Sequence, residues 1–211
     1  MTHQGIDLKA LKLKQAQEFH SLLGDRGIRF IGVSGSVSYE PAADDDIDIF
    51  VICESGSLWK VLFRAFFLRR RYHFKDICLS LAMDENFASS IFCREAEYVV
   101  AEDSVHVVPL YGGDYYSRLL ASSPFIRKYF PKLYGPADPQ HIQNKPTTDF
   151  LNLFLFAFLG SYLYIKSWRE CHYLRSTNPE RAFDVKIGLG HFYFDTVKYR
   201  KLKIELRREE T

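Results

Sequence analysis

The pattern of apolar and polar positions predicts helices and strands in turn along the first half of the chain. Apolar residues recur at roughly helical spacing over residues 8–23, and Gly24 and Gly27 then predict the end of this helix. Two apolar runs rich in β-branched residues follow at residues 29–34 and 46–53, and each predicts a buried strand.

The remaining pattern divides the chain into two regions. Residues 55–57 are predicted to cap a helix over residues 58–71, and residues 74–83 form a third predicted strand. Helical patterns dominate afterwards, over residues 115–129, 148–174 and 179–210. We therefore predict an α+β fold, with a mixed sheet and flanking helices in residues 1–105 and a mostly helical C-terminal region in residues 106–211.

Composition places the chain among globular proteins and gives no overall signal for nucleic acid. Hydrophobic residues make up 47% of the 211 residues, which is enough apolar material for a core. The net charge of +2 provides no field that would attract a polynucleotide to the whole molecule. The four cysteines lack the close spacing of a zinc site, and free thiols without a secretory signal predict a cytoplasmic protein.

One segment, residues 150–168, has nearly the length and apolarity of a membrane span. Its aromatic residues are spread throughout rather than placed at its ends, and polar or small residues interrupt it at Asn152, Gly160, Ser161 and Lys166. A helix that is apolar on all sides is buried either in a protein core or in a membrane. We predict a core helix and no integral membrane association, with a helix that contacts the membrane as the alternative.

Asp46 and Asp48 place two acidic side chains in the second predicted strand. Because side chains two residues apart point to the same face of a strand, the two carboxylates are expected on one face. Like charges this close repel each other unless a cation lies between them, and Mg²⁺ prefers one or two carboxylates together with phosphate oxygens. The pair indicates a metal site, although an exposed start of a strand is the simpler interpretation of the pair alone.

Gly35 and Ser36 follow the first predicted strand and form a candidate phosphate-binding turn. A glycine lets the backbone approach a ligand closely, and the hydroxyl groups of Ser34 and Ser36 are suited to bind phosphate oxygens. A Gly-Ser dipeptide after a strand is by itself more often an ordinary turn. Gly35 lies eleven residues before Asp46, and the Gly-Ser turn together with the acidic pair is more informative than either motif alone.

The combination of Gly35-Ser36 with Asp46-Ile47-Asp48 resembles the nucleotidyltransferase superfamily, which has a DNA-polymerase-β-like fold. The resemblance implies that Gly35 and Ser36 hold the triphosphate of a nucleotide and that Asp46 and Asp48 bind two Mg²⁺ ions. It further implies transfer of a nucleoside monophosphate from a nucleoside triphosphate to an acceptor hydroxyl. The base preference, the oligomeric state and the acceptor, whether protein, small molecule or RNA, remain open.

A narrower resemblance covers about residues 28–135. Over this range the chain is similar to a group of uncharacterised prokaryotic predicted nucleotidyltransferases with an appended helical region. The similarity rests on Ser57-Leu-Trp59, Cys78-Leu-Ser80, Pro109-Leu-Tyr-Gly112 and Ile126-Arg-Lys-Tyr-Phe-Pro131. This group supports the fold and implies no substrate.

Active members of the superfamily usually carry a third carboxylate on the neighbouring strand, and its presence here decides between two functions. Asp76, at the start of the third predicted strand, is the natural candidate, and Asp84 at the far end is a weaker one. Asp46, Asp48 and Asp76 together would form the catalytic and metal-binding set of an enzyme. Without a third acid, the same fold is a catalytically silent module that binds a nucleotide or a partner.

Overall fold

The computed structural model describes residues 7–94, 98–134, 149–179 and 182–196. The first part of the chain forms helix α1 (Leu8–Leu23), strand β1 (Ile28–Ser34), a 3-10 turn (Gly35–Ser38), strand β2 (Ile47–Cys53), helix α2 (Leu58–Arg71) and strand β3 (Ile77–Asp84). The middle part forms helices α3 (Glu85–Phe92) and α4 (Tyr98–His106), strand β4 (Val108–Tyr111), and helices α5 (Gly113–Ser122) and α6 (Pro124–Tyr129). The last part forms helix α7 (Phe150–Leu155), a π-helical segment (Phe156–Gly160), helix α8 (Ser161–Thr177), and strands β5 (Phe183–Gly188) and β6 (His191–Thr196).

The six strands form one mixed sheet in the order β4-β1-β2-β3-β6-β5. Strands β2 and β3 are parallel because helix α2 carries the chain back to the edge where β2 begins, and the other neighbouring strands are antiparallel. The predicted α+β class, with a mixed sheet, flanking helices and a helical C-terminal region, is confirmed.

Alternating side chains of the sheet build one core on each of its faces. On β2, Ile49 and Val51 join a first cluster with α1, α2 and the helix formed by α7, the π-helical segment and α8. Phe50 and Ile52 join a second cluster with α3, α4, α5 and α6. Because Asp48 shares the face of Phe50, the predicted acidic site belongs to the side of the sheet that the second cluster covers.

The region predicted to be helical over residues 179–210 contains a β-hairpin instead. Strands β5 and β6 pair antiparallel around Leu189 and Gly190, and β6 also pairs with β3. A strand is favoured because β5 carries apolar side chains at alternate positions, namely Phe183, Val185 and Ile187. The rest of the predicted helix, residues 197–210, lies outside the described residues. The sheet thus takes strands from both sides of residue 105, and the division into two domains remains a prediction.

Residues 150–168 form a helix, but the prediction that this helix is buried in the core is wrong, because most of its surface is exposed. Helix α7, the π-helical segment and α8 run continuously over Phe150–Thr177, and only 28% of the apolar window in this helix is buried. The buried stripe includes Leu159 and Leu163, whereas Phe150 and Phe158 are among the exposed side chains. Among the described residues, this is the one helix long and apolar enough to cross a membrane.

Trp59 joins three parts of the chain near the N-terminus of α2. Its backbone N–H donates to the side-chain oxygen of Asn152 in α7 at 2.8 Å, and its indole N–H donates to the carbonyl oxygens of Gly188 and Leu189. Ser57 occupies the N-cap position of α2, but its side chain makes no capping hydrogen bond. The predicted local cap is therefore wrong, because a side chain distant in sequence satisfies the N–H group of Trp59.

Candidate functional site

The glycine turn and the acidic strand predicted from the sequence are in direct contact. Strand β1 ends at Ser34, which pairs with Asp48 in the antiparallel register of β1 and β2. Gly35 follows with a φ of +67°, and a Cβ atom built on it would collide with the carboxylate of Asp48. The Cγ atom of that carboxylate would lie 3.2 Å from the added Cβ. Gly35 is therefore required both by its backbone conformation and by the position of Asp48.

The serines around Gly35 have different surroundings. The Ser38 hydroxyl is buried and donates to the carbonyl oxygen of Gly35 at 2.7 Å, which stabilises the turn. The Ser34 hydroxyl lies 3.4 Å from the carbonyl oxygen of Asp48. The Ser36 side chain is half-buried, and its hydroxyl has no hydrogen-bond partner within the described part of the chain. Of the three hydroxyls, that of Ser36 is the one available to a phosphate oxygen beside Gly35.

Asp48 lies within β2, whereas Asp46 precedes the strand, and the two side chains are in different environments. Asp46 is exposed and Asp48 is half-buried. Burial raises the pKa of Asp48 above its usual value of 3.8, and the negative charge of Asp46 raises it further, whereas hydrogen bonding to Ser80 and Cys78 lowers it. The ionised form of Asp48 is therefore less favoured than that of an exposed aspartate, and a divalent cation beside both carboxylates would stabilise it.

Strand β3 brings neutral side chains to Asp48. Cys78 pairs with Asp48 in the parallel register, and Ser80 follows on the same face. Burial raises the pKa of Cys78 to about 12, and the charges of Asp48 and Asp46 contribute to this shift, so the thiol is uncharged at neutral pH. The neighbouring strand therefore offers a thiol and a hydroxyl next to the acidic pair. Sequence reasoning did not assign either residue to the site.

Asp76 lies beside the start of β2, and its carboxylate is not among the groups that shift the pKa of Asp48. Asp76 is exposed and precedes β3, and its carbonyl oxygen accepts a hydrogen bond from the backbone N–H of Ile47 at 2.7 Å. The groups that shift the pKa of Asp48 are Ser80, Asp46, Cys78 and Asp45. Over the ranges that the structure describes, no three histidine, cysteine or acidic side chains cluster as a metal site. The assignment of Asp76 as a ligand remains a prediction.

Asp84, the weaker candidate for a third acid, has a structural role at the other end of β3. Its side chain accepts a hydrogen bond from the backbone N–H of Phe87 at 2.8 Å and caps helix α3. It pairs with Cys53, the last residue of β2, whereas Asp48 is near the start of that strand. At the rise of a β-strand, the five residue steps from Asp48 to Cys53 span about 17 Å. Asp84 is therefore too far from Asp48 to share a metal ion with it.

Two lysines of α1 hold the loop between the glycine turn and β2. Lys9 donates to the carbonyl oxygen of Ser38 at 2.7 Å, at the beginning of this loop. The ammonium group of Lys12 is bonded to the carbonyl oxygen of Asp45 at its end, and the Lys12 side chain is buried. The two lysines therefore fix Gly35 and Asp46 relative to each other. Their spacing of three residues on one helix face is the only sequence signal of this role.

A cavity of about 340 Å³ lies apart from the acidic pair, between α8 and β5. Its lining includes Ser167, Cys171 and Val185, and none of the residues predicted for the site. Comparisons of this chain with protein families, curated proteins and solved structures found no match.

Proposed function

We propose that this chain binds a Mg²⁺–nucleoside triphosphate between the Gly35-Ser36 turn and the carboxylates of Asp46 and Asp48, on a nucleotidyltransferase-like fold. The observation that carries the proposal is the contact between Gly35 and the Asp48 carboxylate. A phosphate group that approaches the exposed backbone of Gly35 lies beside Asp48. A Mg²⁺ ion there would take oxygen ligands from the carboxylates and the phosphates together.

The electrostatics of the acidic pair support the same proposal. Burial is the main cause of the raised pKa of Asp48, and the charge of Asp46 adds to it. Asp46 adds a second negative charge, so a bound metal ion gains from both carboxylates and relieves their repulsion. Phosphate oxygens alone would be repelled by the two aspartates. The favoured ligand is therefore the metal complex of a nucleotide.

The donor set favours a nucleotide-binding module over an active transferase. Transfer through two metal ions about 3.5–4 Å apart needs more oxygen ligands than two aspartates supply, and the acceptor hydroxyl must lose a proton. Next to Asp48, strand β3 offers the neutral Cys78 and Ser80, and Asp76 is exposed at the end of the sheet. Nucleotidyl transfer is the second candidate, because the Gly35-Ser36 turn with Asp46 and Asp48 resembles the motif of nucleotidyltransferases.

Isothermal titration of the full chain with Mg-ATP tests the binding site. Asp46→Asn combined with Asp48→Asn should abolish the Mg²⁺-dependent binding and leave the fold intact, because the repulsion between the two side chains is removed. Asp44→Asn is the matched control, since Asp44 is an exposed acid of the same loop and should leave binding unchanged. Equal affinity in the double variant and the wild type would remove the proposed site.

Release of pyrophosphate from a nucleoside triphosphate distinguishes the two candidates. The binding module should bind Mg-ATP without releasing pyrophosphate above the buffer rate. Asp76→Asn should leave binding unchanged, because Asp76 is not among the groups that act on Asp48. Pyrophosphate release by the wild type that disappears in Asp76→Asn, with binding retained, would establish the transferase with Asp76 as its third acid.

A further inference from the structure

The continuous helix Phe150–Thr177 exposes more large apolar side chains than it buries. The stripe packed on the domain includes small or polar side chains at Asn152, Gly160 and Ser167. Large apolar side chains point outward instead. We define the apolar face of this helix by six of these exposed residues, Phe150, Leu151, Phe154, Phe158, Tyr162 and Ile165. An exposed apolar surface of this extent marks a site of contact with an apolar phase or partner.

The width of the apolar face favours a bilayer over a second copy of the chain. The six residues, together with the exposed Leu153 and Tyr164, occupy the broad arc of the helix that the domain does not cover. Phe150 and Phe158 are the most exposed of them, at 82% and 65%. A partner helix would cover a narrow seam of such a surface and leave the rest in water. A bilayer would cover the whole arc.

The distribution of charge also fits a lipid headgroup region. No charged residue of either sign occurs from Phe150 to Ile165, a length of about 24 Å at the helical rise. Exposed Lys166 and Arg169 follow directly, on either side of the exposed Trp168. Basic side chains and a tryptophan next to an apolar run are typical of the boundary between hydrocarbon and phosphate groups.

Helix α2 extends the apolar face. Lys60 of α2 donates to the side chain of Asp149, the N-cap residue of α7, at 2.7 Å. Phe63 and Phe67 lie on the same face of α2 as Lys60 by helical spacing, and both are exposed. Helix α2 then ends in a basic run, residues 69–71. Apolar side chains flanked by basic ones thus occur on two packed helices.

The packing of the helix determines how it can meet a bilayer. Buried contacts run along one side from Asn152 to Cys171, so this side is committed to the rest of the domain. The helix is therefore held against the domain along its length. We propose that the chain docks on the surface of a phospholipid bilayer through the apolar face, with the helix lying in the interface and not crossing it. This proposal does not depend on the proposed nucleotide site.

Vesicle flotation of the full chain tests the docking. The vesicles contain phosphatidylcholine and phosphatidylglycerol, and the variant combines Phe154→Gln, Phe158→Gln and Ile165→Gln at the centre of the apolar face. The wild type should float with the vesicles. The affinity of the variant for the vesicles should be at least about tenfold lower, because three apolar side chains that would be buried in the bilayer are lost. Glutamine keeps the helix, and circular dichroism and thermal unfolding verify the fold of the variant.

The matched control combines Leu11→Gln with Leu133→Gln, two exposed leucines outside the apolar face, at 53% and 66% exposure. This control should float as the wild type does. Wild-type protein that stays in the soluble fraction, or a triple variant that floats equally well, would overturn the proposal. A stable dimer in light scattering that the triple variant converts to monomer, without vesicle binding by the wild type, would assign the face to a second copy instead.

Discussion

Replacing Gly35 by alanine tests the contact on which the nucleotide site depends. The new methyl group meets two separate obstacles, the φ of +67° and the carboxylate of Asp48. Gly24 offers a matched control, because it has a φ of +68° and an added Cβ would find no atom within 4 Å. Gly24→Ala therefore measures the backbone cost alone, and any excess in Gly35→Ala reports the collision with Asp48.

The expected magnitudes separate the two substitutions. A non-glycine residue in a sparsely populated backbone region costs about 1–3 kcal/mol, and Gly24→Ala should fall in this range. Forcing a methyl group into an occupied position adds about 1–3 kcal/mol, so Gly35→Ala should be more destabilising by that amount. Asp48→Ala removes the carboxylate. In the double variant, Gly35→Ala should therefore cost only the free energy of the backbone strain, without the additional cost of the collision.

Urea unfolding of the wild type, the three single variants and the double variant gives these free energies of unfolding. The interaction free energy of the double-mutant cycle should be about 1–3 kcal/mol, and Gly35→Ala should also weaken Mg-ATP binding about tenfold. The reasoning is refuted if Gly35→Ala destabilises no more than Gly24→Ala and the cycle shows no coupling with Asp48. In that case the glycine turn and the acidic strand do not form one site.

Three further predictions test other contacts. In urea unfolding, Asn152→Ala should lower the free energy of unfolding by about 1–2 kcal/mol, because the cap on α2 is lost. Ser57→Ala should change this free energy by only a few tenths of a kcal/mol. Without divalent cations, Asp48→Asn should stabilise the protein at pH 7. The difference in the free energy of unfolding between the variant and the wild type should shrink as the pH falls through the raised pKa of Asp48, because the folded wild type then binds a proton before the unfolded chain does. A difference that stays constant with pH would contradict this. Ser80→Asp should lower the melting temperature without Mg²⁺ and increase the upward shift that Mg²⁺ produces, since it places a third carboxylate beside Asp48.

Local patterns in the sequence were sufficient for the elements that carry the site. The three strands and the helix between residues 28 and 84 lie within about three residues of their predicted bounds, because each has its own periodicity and is bounded by turn residues. The contact between Gly35 and Asp48 depends on the same information. When an antiparallel strand returns along β1, the start of β2 must lie beside the end of β1.

Which side chains of β3 lie beside Asp48 depends on where the strands begin and end, and sequence patterns locate the ends of strands poorly. Asp76 is an even number of residues from Cys78 and Ser80, so alternation alone places all three on one face. The described pairing of β2 with β3 starts at Ile47 and Ile77, however, and Asp76 precedes it at the exposed edge. A thiol and a hydroxyl in an apolar strand give no signal in a single sequence, although they are the groups that reach Asp48.

The exposure of the helix Phe150–Thr177 could not be predicted from the sequence for a different reason. Apolarity alone does not identify what an apolar surface contacts. A helix rich in phenylalanine and leucine has the same sequence pattern whether its outer side meets protein or lipid. Only the structure shows that the domain covers one stripe, where Asn152 bonds to Trp59, and leaves Phe150 and Phe158 exposed. The burial of a helix is set by the elements around it, which the pattern of a single segment does not specify.

The sheet separates the two proposed functions. The helix that bears the apolar face packs through Leu159 and Leu163 on the first cluster, whereas Asp48 shares the opposite side of β2 with Phe50. A bilayer in contact with the apolar face therefore leaves the acidic pair on the far side of the sheet. This separation matters because a nucleotide carries several negative charges, and an anionic membrane surface repels such a ligand within about one Debye length. Docking through this helix would leave the proposed nucleotide site on the water side, so the two proposed functions are compatible in one molecule.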